Sequence, residues 1–243
     1  MTGAIVPHAP LLLEPLWSKE TRAAAEEITR AARSFGPSGV GTVIVVSSHG
    51  RETGVYSAIE GDLGSFGVPG VAGKWRTDSG LGEALAQSSG LETIPEGEGI
   101  DHGILVPLLL MGVSAETSVV AASVADDTED GGLASSLATA IAGLDERALV
   151  VASANTSAAL GPRAPIQNLP QAPDAESDFL EALQKDPRRL EDSIRTLAAA
   201  GGSCSLFPLT VAAKMFPNRR ARVLAHASPV GVGYVVAYFD DDS

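Results

Sequence analysis

Two uninterrupted runs of apolar residues constrain the fold of this chain more than any other feature. Thr42–Ser47 reads TVIVVS and Ala148–Ser153 reads ALVVAS. Neither run alternates apolar with polar residues, which is typical of strands covered on both faces in a parallel sheet. Segments of helical periodicity, such as Ser18–Ser34 and Asp174–Lys185, separate strands of this kind. We therefore predict an α/β fold whose largely parallel or mixed central sheet has helices on both faces.

The same alternation of patterns places the remaining elements. Further strands are predicted at Gly3–Pro7, Thr117–Ala122, Ala221–Ala227 and Val232–Phe239. Further helices are predicted at Leu81–Gln87, Ile104–Met111, Leu133–Ile141, Leu190–Ala199 and Pro208–Met215. Ser18 is a good N-cap residue for its helix, and Pro107 is tolerated if it lies in a first turn. The Gly-rich segment Val55–Thr77 has a weaker pattern and is interpreted as a hairpin or an excursion over the surface.

Length and composition indicate one folded domain. The 243 residues are 44% hydrophobic, and no linker with a change of composition divides them, so we expect residues 1–243 to form a single domain. A formal net charge of −13 argues against nucleic acid and anionic membrane surfaces as partners. The chain has one cysteine and no signal-peptide pattern, so the cytoplasm is the simplest compartment. A homodimer is expected only from general prevalence.

Three of the four histidines occupy similar places in the predicted fold. His8 follows the first strand between two prolines, His49 follows TVIVVS, and His102 lies in a Gly-rich turn before an apolar helix. Ligands of open α/β sheets bind at the carboxyl ends of strands, and neutral imidazole is the commonest metal ligand in proteins. We therefore predict a shared metal-type pocket; the alternative is that each is a solvated or capping loop residue. His226, within a closing strand, is interpreted as structural.

Cys204 is the remaining candidate for site chemistry. It lies in the sequence GGSCS, directly before an apolar helix. A thiol at a helix N-terminus can have a lowered pKa and act as a ligand or nucleophile. The alternative is a buried, inert cysteine. The acidic run Asp126–Asp130 lacks the spacing of a calcium loop and is interpreted as a solvated loop.

Taken in order, the histidine motifs resemble those of a known family. Pro7–Pro10 reads PHAP, Ser48–Gly50 reads SHG, Asp101–Gly103 reads DHG, and Ser228–Tyr234 near the end reads SPVGVGY. This series is similar to that of LigB-type proteins, the catalytic-subunit-like members of the class III extradiol ring-cleavage dioxygenases. The resemblance covers nearly the whole chain.

The resemblance implies a site as well as a fold. Members hold a non-haem Fe(II) at one edge of the sheet with two histidines and a carboxylate, which leaves open positions for a catecholate and O₂. By matched motif, His8 and His49 would be metal ligands. His102 would line the pocket as the catalytic residue that orients or deprotonates a small catechol-like aromatic molecule.

This sequence departs from the family pattern at two places. Cys204 stands where the family's glutamate ligand is expected, and Ala158 stands where a proton-transfer histidine is expected, with Asn155 in place of an acid. A related branch, the Memo proteins, has a cysteine at that ligand position. The resemblance therefore leaves two main readings: an Fe(II)-dependent extradiol dioxygenase, or a non-catalytic Memo-like metal- or ligand-binding protein. Zn or Cu are alternative metals. Zinc-dependent hydrolysis is a weaker third interpretation, and a site that holds no metal is a further alternative.

Overall fold

The computed structural model describes residues 1–36, 40–125, 131–144 and 147–239. The strands are β1 Thr2–Val6, β2 Thr42–Ser47, β3 Gly54–Tyr56, β4 Ile59–Leu63, β5 Val68–Thr77, β6 Thr93–Ile94, β7 Ser118–Ser123, β8 Ala148–Ser153, β9 Arg222–Ala227 and β10 Tyr234–Phe239. The α-helices are α1 Arg22–Ser34, α2 Ser79–Ser89, α3 His102–Met111, α4 Gly131–Ala142, α5 Ala172–Lys185, α6 Leu190–Gly201 and α7 Leu206–Met215. Within the described ranges, no helix is long and apolar enough to cross a membrane.

The central sheet is mixed, with a parallel middle. Its strand order is β4-β5-β7-β2-β8-β1-β10-β9, and β3 and β6 pair beside β7. Strands β7, β2, β8 and β1 run parallel to one another, whereas β10 and β9 are antiparallel additions at one edge. Because β8 lies between β2 and β1, the carboxyl ends of these three strands meet at the same edge of the sheet. The predicted mixed α/β architecture is confirmed.

The core lies on both faces of the sheet, as the apolar runs predicted. Within β2, Ile44 and Val46 pack into one hydrophobic cluster, with α2, α4, α5, α6 and α7. Val43 and Val45 point the other way and pack with α1 and α3. Side chains alternate between the faces of a strand, so a strand covered by helices on both sides needs apolar residues at every position.

Two local predictions about helices were wrong. Helix α1 begins at Arg22 rather than at Ser18, because the Ser18 hydroxyl accepts hydrogen bonds from the backbone N–H groups of Glu20 and Thr21 in a preceding turn. Helix α3 begins at His102, so Pro107 lies in its interior rather than in its first turn.

The segment Val55–Thr77 contains the predicted hairpin, formed by β4 and β5. The predicted acidic loop Asp126–Asp130 lies outside the described residues.

Candidate functional site

The three motif histidines lie together at the carboxyl edge of the parallel strands. His8 follows β1, His49 follows β2, and His102 is the first residue of α3. One ring nitrogen from each histidine can be chosen so that all three nitrogens lie within 4.8 Å of one another. His8 is buried, whereas His49 and His102 are partly exposed, so the group opens to solvent on the side of the latter two. The fold therefore brings together residues that are 41 to 94 positions apart in the chain.

The spacing of the His8 and His49 rings suits two ligands of one metal ion. Their Nε2 atoms lie 3.1 Å apart, and their rings meet edge to face. Two imidazole nitrogens that bind one ion at about 2.1 Å each are separated by about 3 Å when they subtend a right angle. The His102 ring packs beside both, with its centroid 4.6 Å from that of His49.

Burial keeps the first two histidines in their neutral form. Desolvation, and then the neighbouring imidazoles, lower the pKa of His8 well below its usual value. Desolvation, and then His102, lower the pKa of His49 to about 4. An imidazole must be deprotonated to bind a metal ion. At neutral pH, both rings are therefore in the form that binds metal.

A chain of hydrogen bonds fixes which His8 nitrogen carries the proton. Pro107 has no N–H, so the Gly103 carbonyl, four residues earlier in α3, lacks its helical partner. The Ser153 hydroxyl donates to that carbonyl. With its proton committed there, Ser153 Oγ can only accept a hydrogen bond from His8 Nδ1, 3.1 Å away. His8 therefore carries its proton on Nδ1 and presents the Nε2 lone pair toward His49.

Asp101 orients the third histidine in the same way. Its carboxylate contacts Nδ1 of His102. Burial opposes ionisation of Asp101, but the hydrogen bond and charge of His102 outweigh it, so the pKa of Asp101 is lowered. The ionised carboxylate accepts from Nδ1–H, which leaves the Nε2 lone pair of His102 free to face the pocket.

Close packing explains why glycine follows His49 and His102. A Cβ on Gly103 would lie 2.2 Å from Ser47 Oγ and 2.8 Å from His49 Cβ. A Cβ on Gly50 would lie 2.2 Å from Ser123 Oγ. A side chain at position 103 would push the His49 loop away from α3, and one at position 50 would push that loop away from β7.

Cys204 lies beside the histidine group, in the loop between α6 and α7. Its Sγ is 3.6 Å from His8 Nε2. The Ser48 hydroxyl donates to the Cys204 carbonyl, which ties this loop to the residue preceding His49. Among the described residues, the group of mutually close ligand atoms consists of the three histidines and does not include Cys204.

Asn155 has a structural role beside the histidine group. Its Oδ1 accepts a hydrogen bond from the backbone N–H of His8 (3.3 Å), and its own N–H donates to Ser205 Oγ (3.0 Å). Its carbonyl accepts from Ser203 Oγ at 3.1 Å. Through its side chain and its backbone, Asn155 thus joins the ends of β1 and β8 to the Cys204 loop.

The other histidine lies outside the group, and one site residue was missed from the sequence. His226, on β9, has Nε2 3.4 Å from Oε1 of the buried Glu176.

Ser153 was not predicted as a site residue because it looks like the last residue of an ordinary buried strand. The signal was the proline inside α3, since a proline in the interior of a helix leaves a carbonyl without its helical donor.

The comparisons with known proteins agree with this fold. Residues 3–237 match the family described as the catalytic LigB subunit of aromatic ring-opening dioxygenase. Among curated proteins, no sequence matches. The crystal structure of the uncharacterized protein JW3007 from Escherichia coli K12 is similar in fold, with a TM-score of 0.67, 17% identity, and coverage of 99% of this chain and 100% of that chain. The resemblance seen in the histidine motifs is confirmed: the chain belongs to the LigB family.

Proposed function

We propose that this protein is a metal-dependent oxidoreductase of the extradiol dioxygenase type, which binds a catechol-like aromatic small molecule at the histidine group. One observation carries the proposal. Two neutral imidazoles, one with its tautomer fixed by Ser153, bring their Nε2 atoms to 3.1 Å from each other at the carboxyl edge of a LigB fold. This spacing supports the binding of one metal ion by both imidazoles.

The donor set fits a divalent transition metal. Imidazole suits iron, zinc and copper, and we propose Fe(II), with Zn or Cu as alternatives. His8 and His49 would hold the ion. The Cys204 thiolate is our proposed third donor, because its Sγ lies 3.6 Å from His8 Nε2 and would add the negative charge that a carboxylate otherwise supplies. When bound, a ferrous ion would supply open positions for a catecholate and dioxygen.

His102 is the residue we propose for proton transfer. Its Nδ1–H is held by Asp101, so its Nε2 can accept a proton from a hydroxyl of the bound molecule. A catecholate is a better metal ligand than the neutral catechol, so removing this proton favours binding as well as reaction. A positioned base of this kind contributes about 10²–10⁴ in rate.

The second candidate is a non-catalytic, Memo-like protein that binds a metal or ligand. Two observations favour it. Ala158 has only a methyl group where the family resemblance calls for a proton-transfer histidine. The ligand group among the described residues also contains no carboxylate.

Oxygen uptake with a panel of catechols decides between the two candidates. We expect Fe(II)-loaded protein to consume O₂ and form a yellow ring-opened product. His102→Gln should lower that rate by about 10²–10⁴ because it removes the base. His226→Gln, a histidine outside the group, should leave the rate unchanged. Metal and catechol binding without O₂ uptake would support the second candidate, and binding of neither would contradict both.

Ser153→Ala tests how the chain prepares His8 for a metal. Without the hydroxyl, His8 loses the acceptor that fixes its tautomer, so affinity for Zn²⁺ should fall about 10–100-fold. Ser89→Ala removes another buried hydroxyl, which donates to Leu85 O within α2, and should leave that affinity unchanged. Competition with a chromogenic chelator measures both. Unchanged zinc affinity in a folded Ser153→Ala protein would refute the tautomer argument.

A further inference from the structure

Two large apolar side chains are strongly exposed in the described part of the chain; one packs against the histidine group and the other against the loop that carries Cys204. Phe66 is 45% exposed and Ile166 is 46% exposed. Single exposed apolar side chains are ordinary on protein surfaces. Here, however, separate segments place them against two parts of the proposed site, His102 and the Cys204 loop.

Phe66 lies on the His102 side of the site. It ends the short turn Gly64–Phe66 between β4 and β5, and Gly67 closes the turn in the left-handed region, with φ of 79°. The Phe66 ring centroid is 5.0 Å from that of His102. The hairpin is also tied to the segment before His102, because the Ile100 N–H donates to the Glu60 carbonyl at 2.9 Å. The position of the turn is thus coupled to that of the histidine.

Ile166 lies on the Cys204 side. A Cβ built on Gly202 would be 2.4 Å from Ile166 Cδ1, so this side chain packs directly over Gly202, two residues before Cys204. The Ala158 N–H, in the segment after β8, donates to the Gly202 carbonyl at 3.3 Å, and the Ile166 N–H donates to the Ala158 carbonyl at 3.5 Å. Contacts therefore run from Phe66 through the histidines to Cys204, and Ile166 packs on Gly202 of the same loop as Cys204.

We propose that Phe66 and Ile166 form an apolar rim that contacts a bulky apolar substituent on the catechol-like ligand. The inference rests on the proposed function and narrows its substrate class to catechols with alkyl or aryl groups. When such a group covers two large apolar side chains, the burial of apolar surface makes the free energy of binding more favourable. A carboxylate substituent would gain no favourable binding free energy from the rim. Its negative charge would also be repelled by the ionised Asp101 and by a chain of formal net charge −13.

Calorimetric titration of zinc-loaded protein tests the rim, because zinc supports binding without oxidation. The ligands are 4-tert-butylcatechol, unsubstituted catechol and 3,4-dihydroxybenzoate. We expect 4-tert-butylcatechol to bind at least about tenfold more tightly than either of the others, the discrimination typical of a few added carbon atoms in an apolar site. Phe66→Ala and Ile166→Ala should each remove most of that preference while the affinity for unsubstituted catechol stays nearly unchanged.

Conservative variants separate apolar contact from general disturbance. Phe66→Leu and Ile166→Leu retain apolar surface and should keep most of the preference. Equal binding of the three catechols, or a preference that survives both alanine variants, would overturn the rim and leave the proposed function standing. Failure of all three catechols to bind would overturn the proposed function and the rim together.

Discussion

Replacing His49 by alanine is expected to weaken zinc binding by about a hundredfold or more. Loss of a residue that hydrogen-bonds to a metal ligand lowers metal affinity by about 10–100-fold, and loss of the ligand itself should have a larger effect. The substitution removes one of the two Nε2 atoms that lie 3.1 Å apart. His49 is partly exposed, so the variant should fold. Chelator competition measures the affinity, and thermal unfolding of the metal-free protein checks the fold.

Two other variants place this result in context. His226→Ala removes a histidine that faces Glu176 rather than the group, and it should bind zinc like the wild type. Cys204→Ala should have an intermediate effect, since Sγ is near His8 but outside the group of three nitrogens. A His49→Ala protein that binds zinc as tightly as the His226→Ala protein would show that His49 is not a ligand.

Gly103→Ala is expected to damage stability and metal binding together. The added methyl would lie 2.2 Å from Ser47 Oγ and 2.8 Å from His49 Cβ, so the His49 loop must move away from α3. Overpacking of this kind costs about 1–3 kcal/mol, which corresponds to a fall in Tm of roughly 2–12 °C in a chain of this length. Zinc affinity should fall with it, because the displaced residue is a proposed ligand.

Gly80→Ala is the matched control for that change. Gly80 also lies in a helix, α2, and the nearest atom to a Cβ there is Asp78 Oδ1 at 3.7 Å, an ordinary contact. Its Tm should stay level or rise, since alanine favours a helix over glycine by up to about 1 kcal/mol. If Gly103→Ala behaved like Gly80→Ala in both Tm and zinc affinity, the packing explanation of the His-Gly motifs would be wrong.

The parts of the fold that follow from one uninterrupted segment were predictable from sequence. Thr42–Ser47 and Ala148–Ser153 form β2 and β8 with the predicted bounds, because burial on both faces requires an apolar residue at every position. The approach of His8 to His49 was also predictable. Both follow parallel strands, and the carboxyl ends of such strands share an edge.

The parts that depend on contacts between distant segments were not predictable. The tautomer of His8 depends on Ser153 of β8 and on a carbonyl that Pro107 leaves free in α3, and no local pattern relates these residues. Phe66 lies in a weakly patterned hairpin, so its position against His102 emerges only when the hairpin packs on the segment before α3. Hydrogen bonds and packing across the sheet edge decide both features.

The donor set has a chemical consequence for the proposed function. Asp101 is committed to His102 and so acts on the histidine rather than as a ligand in the group. A thiolate from Cys204 would be a softer donor than the carboxylate of the family pattern, and soft donors shift preference toward zinc or copper(I). The metal that the purified protein retains therefore bears directly on whether it is an oxygenase or a binding protein.

Metal analysis of protein purified without oxygen tests the central claim most directly. Wild-type protein would be offered Fe(II), Zn²⁺ and Cu separately, freed of excess metal, and assayed for bound ion per chain. We predict one ion per chain for at least one of these metals, lost in both His8→Ala and His49→Ala and retained in His226→Ala. Wild-type protein that stays metal-free with all three, or a bound ion that survives loss of both His8 and His49, would contradict the account.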